Sequence, residues 1–262
     1  MAYLMFDAIP GMISLFSFEL SVADLFIFFL VAIFIGMSKT GVHGMGMMAV
    51  PLLASVFGGQ LSSGIMLPIL CMADILGVVY YHRHAEWKYL RKLFPWAVTG
   101  TILGTIVGKN IPDDVFRLIM AVTIILIVVI MIWLEHGRKE DVPDSPWFAG
   151  LAGTTGGFTS MVGNLAGSVM AVYFLSMRLP KNVFIGTTAW FFMIMNLFKV
   201  PFHVWSWHTI TWNSLMLDLI TLPAIALGAY IGIVIVKHLK DKTYRWFIMG
   251  MTVLAAVLML LR

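Results

Sequence analysis

Long apolar runs alternate with short polar breaks along the whole chain. The runs fall at about 21–37, 44–58, 62–81, 93–109 and 115–134, then at about 146–161, 165–177, 183–202, 211–236 and 244–261. A helix needs ~20 residues to cross ~30 Å of hydrocarbon. The runs at 21–37, 44–58, 146–161 and 165–177 are shorter than that. They predict short crossings, tilted broken helices or re-entrant hairpins. Composition agrees with the pattern: 60% of the 262 residues are hydrophobic and 11% are charged, against about 25% charged in a soluble domain. So few charges could not cover a water-facing surface, and the expected fold is an all-α polytopic membrane protein.

Residues 1–20 carry Asp7 and Glu19 but lack the basic start and cleavage site of a signal peptide. They read as an amphipathic N-terminal segment lying at one membrane face. The single cysteine, Cys71, excludes an internal disulfide framework and a Cys-based zinc site.

If the chain alternates sides, thirteen basic residues collect on one face: Lys39, Arg83, Lys88, Arg91, Lys92, Arg138, Lys139, Arg178, Lys181, Lys237, Lys240, Lys242 and Arg245. Lys109, Arg117 and Arg262 fall on the other, and Lys199 lies inside a run. The first face is therefore expected to be cytoplasmic, with both termini external or periplasmic. Trp87, Trp96, Trp133, Trp147 and Trp246 flank the basic loops, and Trp205, Trp207 and Trp212 flank one external loop, as interfacial belts do. The charged stretch 135–146, "EHGRKEDVPDSP", reads as a cytoplasmic linker between a first membrane repeat at 21–134 and a second at 147–262.

The repeat is visible residue by residue. A shift of 122 lays "SKTGVHGMGMMAVPLL" over "SMVGNLAGSVMAVYFL", pairing Ser38 with Ser160, Gly41 with Gly163, and Met48-Ala49-Val50 with Met170-Ala171-Val172. The same shift pairs Gly64 with Gly186 and Asp74 with Asn196; two residues more bring Gly104 onto Gly228 and Gly108 onto Gly232. Each half holds about five elements, an odd number, so the second copy must be inverted. The charges agree: the basic loop 82–92 maps onto 204–214, which has no Lys or Arg. Two inverted-topology repeats are the expected architecture.

The stretch Ile35–Leu53, "IGMSKTGVHGMGMMAVPLL", interrupts the apolar pattern with a lysine, a histidine, hydroxyls and glycines, and its counterpart recurs in the second half. Irregular backbone at membrane depth is tolerated only where protein or a water-filled cavity surrounds it. Inverted halves would bring the two stretches together, with helix N-termini aimed into the gap between them. The expected ligand is a small anion. Its candidate contacts are Ser38, Lys39, Thr40, Gly41, His43 and Gly44 from the first half. Thr159, Ser160, Gly163, Asn164, Ala166, Gly167 and Ser168 follow from the second, with Trp190, the tryptophan inside a run. Lys39 could equally be a cytoplasmic loop charge, and His43 a packed neutral histidine. The glycines could serve close helix packing alone, as Gly100, Gly104 and Gly108 with Gly228 and Gly232 are expected to do.

Asp74, Asn196 and Lys199 form a second candidate set, for coupling or for structural bracing. An intramembrane carboxylate is costly and usually functional. Asp74 could carry a coupling proton, pair with Lys39 or Lys199, or simply be hydrogen-bonded. Lys199 shares a helix face with Asn196, three residues away, or snorkels to the external surface. Asp218 is ambiguous in the same way. His82, His84, His203 and His208 read as loop residues without metal-site spacing, so no metal and no cofactor is expected. "GTIVGKN" at 104–110 lacks the spacing of a phosphate-binding loop. No nucleophile–base pair points to an enzyme, and the partners expected are a small anion and the lipid bilayer, with no nucleic acid. A coupling ion, proton or sodium, stays open.

With these residues assembled, the chain resembles the sulfite exporter TauE/SafE family, the TSUP permeases, over roughly 20–261. "GVHGMGMMAVPLL" is similar to the family's Gly-rich opening segment including Pro51, whereas "GNLAGSVMAVYFL" departs from it at Tyr173; "GTTAWFFMIMNLFK" at 186–199 is similar to its Gly-Thr…Asn…Lys segment. The resemblance implies export of sulfur-containing anions such as sulfite or organosulfonates across the cytoplasmic membrane. Alternating access about a central site is the leading mechanism, and a passive channel or a membrane assembly protein are the alternatives.

Overall fold

Ser21 opens the first long helix. Its hydroxyl accepts from the Asp24 amide while the Asp24 carboxylate accepts from the Ser21 amide, so two of the helix's orphan donors are satisfied. The computed structural model describes residues 12–42, 44–109, 111–116, 118, 119, 122, 146–177, 179–240, 243, 244, 246 and 247. Over these the chain is mostly helical, as expected. The helices are α1 (Val22–Lys39), α2 (Met45–Phe57), α3 (Gly59–Tyr81), α4 (Trp87–Gly108), α5 (Pro146–Gly163), α6 (Ala166–Ser176), α7 (Lys181–Pro201), α8 (Trp212–Leu219) and α9 (Leu222–Lys237). Most of the expected runs at 115–134 and 244–261, and the linker 135–146 up to residue 145, lie outside the described residues.

Helices α1, α3 and α7 are long and apolar enough to cross a membrane. Their outer faces carry exposed Val22, Phe26, Val79 and Leu197, apolar surface that suits lipid and not water. At ~1.5 Å per residue, α2 with 13 residues and α6 with 11 are each shorter than the hydrocarbon layer. The ninth apolar run differs from the single element expected. It is broken into α8 and α9, bent by 50°. The cause is local: Pro223, in the first turn of α9, has no amide to continue α8. The Thr221 amide and hydroxyl both donate to the Asp218 carbonyl and close α8 off.

The N-terminal segment is a β-hairpin as far as it is described, with β1 (Met12–Leu15) antiparallel to β2 (Phe18–Ser21). Phe16 and Ser17 at its tip have φ of 50° and 73°, the left-handed turn that matches strand twist. Phe18 packs edge-on against Phe57 of α2, and the Asn213 side chain donates to the Ser17 hydroxyl.

Small residues let helix backbones touch. A Cβ on Gly36 of α1 would strike the Ile225 carbonyl of α9, and one on Gly228 of α9 would strike the Ile33 carbonyl of α1. Likewise a Cβ on Gly100 of α4 would meet the Thr154 carbonyl of α5, and one on Gly157 of α5 the Ala97 carbonyl of α4. Gly104 abuts Met161, and Gly232 abuts Thr40. This is the close packing expected of membrane helices, where backbone approach replaces the hydrophobic drive. Two apolar clusters result, one around α1, α2 and α3, the other around α4, α6 and α7.

Candidate functional site

Between α1 and α2 the chain turns inside the protein. Gly41 takes φ of +119°, and with it the Val42 amide donates to the Met37 carbonyl and the Gly41 amide to the Ser38 carbonyl. That closes the C-terminus of α1 with the two bonds of a Schellman motif, which a glycine at this position favours. Gly44, φ +101°, then starts α2 without any side-chain cap. The Thr40 hydroxyl donates to Gly36 and to Ala229 of α9, and Tyr244 donates to the Gly41 carbonyl. These bonds hold the turn rigidly and leave Lys39 pointing inwards.

The counterpart turn joins α5 to α6. Here Asn164 takes φ of +56°, its amide donates to the Ser160 carbonyl, and the Leu165 amide donates to the Thr159 carbonyl, so this helix end too is closed by two backbone bonds. Asparagine tolerates this region better than most residues. Its side-chain amide donates to the carbonyl of Ser63 on α3 at 3.1 Å. The side-chain oxygen is thereby turned the other way, where Lys199 donates to it at 2.7 Å. Lys199 also donates to the Ser160 carbonyl at 3.1 Å and is fully buried. Snorkelling to the surface, one of the two expectations for Lys199, does not occur.

Helices α3 and α7 cross behind the turns. Asp74, with 0% exposure, forms an ion pair with Lys39 at 2.9 Å. Its second oxygen accepts from the Asn196 side chain at 2.6 Å. Lys39 also sits 4.1 Å from the centroid of the Phe192 ring, an attraction of cation for π face. A buried charge pair is tolerated only when its remaining hydrogen-bonding capacity is met, and Asn196 and Phe192 meet part of it.

Ser38, Lys39, Gly44, Ser160, Asn164, Gly167, Asn196 and Lys199 line one cavity of about 50 Å³. A water needs about 10–15 Å³ of such volume, so the space suits a small anion or a few waters. Lys39 is not a loop charge. The remaining candidates lie elsewhere. Thr40, Gly41, Thr159, Gly163 and Ala166 support the turns without lining the cavity; Thr159 donates to Gly156, and Ala166 is packed in the second apolar cluster. Trp190 faces away: its indole N–H donates to the His82 carbonyl, and its ring lies 5.3 Å from Trp87. His43 and the Ser168 side chain lie outside what is described. His203, expected in a loop, is buried in the helical turn Phe202–Ser206 beside Thr209 and Trp207.

Several lining residues escaped sequence reasoning: Gly46 and Met47 on α2, Met66 and Leu70 on α3, Ala171 on α6, and Thr188, Ala189 and Phe192 on α7. The signal was present in helical spacing. Phe192 and Thr188 stand four and eight residues before Asn196, and Leu70 and Met66 four and eight before Asp74, so each set shares a face with its polar residue.

Searches of curated proteins and of solved structures return no match. The family described as Sulfite exporter TauE/SafE matches residues 28–259, nearly the whole chain and every lining residue of the cavity. The chain belongs to the sulfite exporter TauE/SafE family, and it is accordingly a multi-pass membrane transporter of small anions and not an enzyme.

Proposed function

We propose that this protein is a secondary transporter that exports a small sulfur-containing anion, sulfite or an organosulfonate, from a site between the two glycine-bearing turns. The observation that carries the reading is the pair Lys39 and Lys199. One comes from the first half of the chain and one from the second, and both line a single small cavity beside the N-terminal turns of α2 and α6. A full cationic charge at hydrogen-bonding range binds an anionic oxygen far better than a neutral donor, and the N-terminal ends of α2 and α6 add to the attraction.

Alternating access by inverted repeats is the mechanism we infer. Two features support it. Asp74 and Asn196, equivalent at the shift of 122, touch each other directly, as residues on a pseudo-two-fold axis do. The last described helix of each half packs on the first helix of the other, α4 on α5 and α9 on α1, through glycines. Rocking of one half against the other would expose the cavity to each side in turn. The basic loops, among them 82–92 and 237–245, are then cytoplasmic and the first and last residues periplasmic.

The test is flux of sulfite and of simple sulfonates in proteoliposomes, wild type against Lys39→Ala. Loss of about 10- to 100-fold is expected, the worth of one charged contact. A folded Lys39→Ala protein with wild-type flux would contradict the assignment.

A further inference from the structure

The charge balance inside the cavity leads one step further, and the step rests on that cavity being the substrate site. Lys39 and Lys199 line it, and Asp74 stands directly behind Lys39. Lys39 and Asp74 are paired at 2.9 Å and cancel. Asp74's other oxygen is occupied by the neutral Asn196 amide. Lys199 has no carboxylate within bonding distance among the described residues: its partners are the Ser160 carbonyl and the Asn164 side-chain oxygen, both uncharged. An ammonium group carries three N–H donors, so one remains for a ligand. With Lys199 protonated, the site therefore presents one net positive charge and an open donor.

The attraction of an anion to a fixed positive charge grows linearly with the anion's charge, whereas the cost of stripping its water grows as the square. A single surplus positive charge thus compensates a singly charged anion and leaves half of a doubly charged one unmatched. We propose that the site selects singly charged oxyanions of sulfur, such as hydrogensulfite or a monosulfonate, over doubly charged ones, and that Asp74 sets this valence. Asp74 is a specificity-determining residue in this account. It does so without lining the cavity, by neutralising Lys39 from behind.

Methanesulfonate and sulfate provide the comparison, because they share a tetrahedral shape and differ by one charge. Affinities are measured by titration calorimetry on the purified full-length protein in detergent, at one pH and one ionic strength. The wild type should bind methanesulfonate at least about tenfold more tightly than sulfate. Asp74→Asn raises the surplus to two charges, and the ratio of sulfate to methanesulfonate affinity should rise by about tenfold or more. Lys199→Gln keeps a hydrogen-bond donor but removes the surplus charge, and it should weaken sulfate more than methanesulfonate, which keeps the test decisive should Asp74→Asn not fold. Equal or tighter sulfate binding by the wild type, or a ratio unmoved in the folded variants, would overturn the valence assignment while leaving the site in place. Failure of both anions to bind the wild type would overturn the site itself.

Discussion

Lys199 is the residue on which the site turns. It is buried, among the described residues without a carboxylate partner within bonding distance, and it reaches the closing turn of α5 from the far end of α7. Replacing it by alanine should lower anion flux by about 10- to 100-fold, measured in proteoliposomes against a variant shown to be folded by its elution profile and melting curve. Asp74 and Asn196 make a sharper test. Because they face each other across the α3–α7 crossing, exchanging their identities keeps one carboxylate and one amide at the same place. The double variant should recover much of the flux that either single substitution loses, and coupling of that kind between contacting residues typically amounts to about 0.5–3 kcal/mol. Much of this was readable beforehand. Asp74 and Lys199 stand out because charge inside an apolar run is expensive, and the shift of 122 had already matched Asp74 with Asn196. The Lys39–Asp74 pairing was one of several possibilities, since spacing along the chain does not say which of two lysines a carboxylate will meet. Trp190, expected among the contacts, does not line the cavity, since an aromatic inside a run has no directional signal until its helix is oriented.

At the level of elements, glycine decides where helices touch and where they turn. Gly157→Ala would drive a methyl group into the Ala97 carbonyl, and such overpacking costs about 1–3 kcal/mol. Gly167 is the contrasting case: a Cβ there meets nothing within 4 Å among the described residues. Gly167→Ala should leave stability within about 0.5 kcal/mol of wild type. Melting temperatures of the two purified variants separate these outcomes, and equal behaviour would show that the α4–α5 contact is looser than described. Sequence periodicity located the described helices closely, because hydrophobic run length is a strong signal in lipid. It missed the break at Ile220–Thr221, where a single proline one residue beyond the new helix start outweighs continuous hydropathy. It also missed the N-terminal hairpin, whose turn residues Phe16 and Ser17 are not the glycine or asparagine that would announce one.

For the whole molecule, the proposed inversion of the two halves makes a prediction about sidedness. The loop after α3 and the loop after α7 occupy equivalent places in the two halves, yet only the first is basic. They should therefore face opposite compartments. Arg83 and Asn213 are exposed, and in a Cys71→Ser background a cysteine at each can be probed with a membrane-impermeant maleimide on intact cells. Asn213→Cys should react from outside, and Arg83→Cys only after permeabilisation. Labelling of both from one side would end the inverted-repeat account.

The central claim is that the two turns converge on one anion, held between a lysine from each half. Anomalous diffraction from crystals grown with selenite, the selenium analogue of sulfite, locates such an anion directly. The account predicts one strong selenium peak inside the cavity, within about 5 Å of both the Lys39 and the Lys199 Nζ, the reach of a charge-assisted hydrogen bond to a selenium-bound oxygen. Ordered selenium elsewhere in the protein, with no peak between the two lysines, would contradict it.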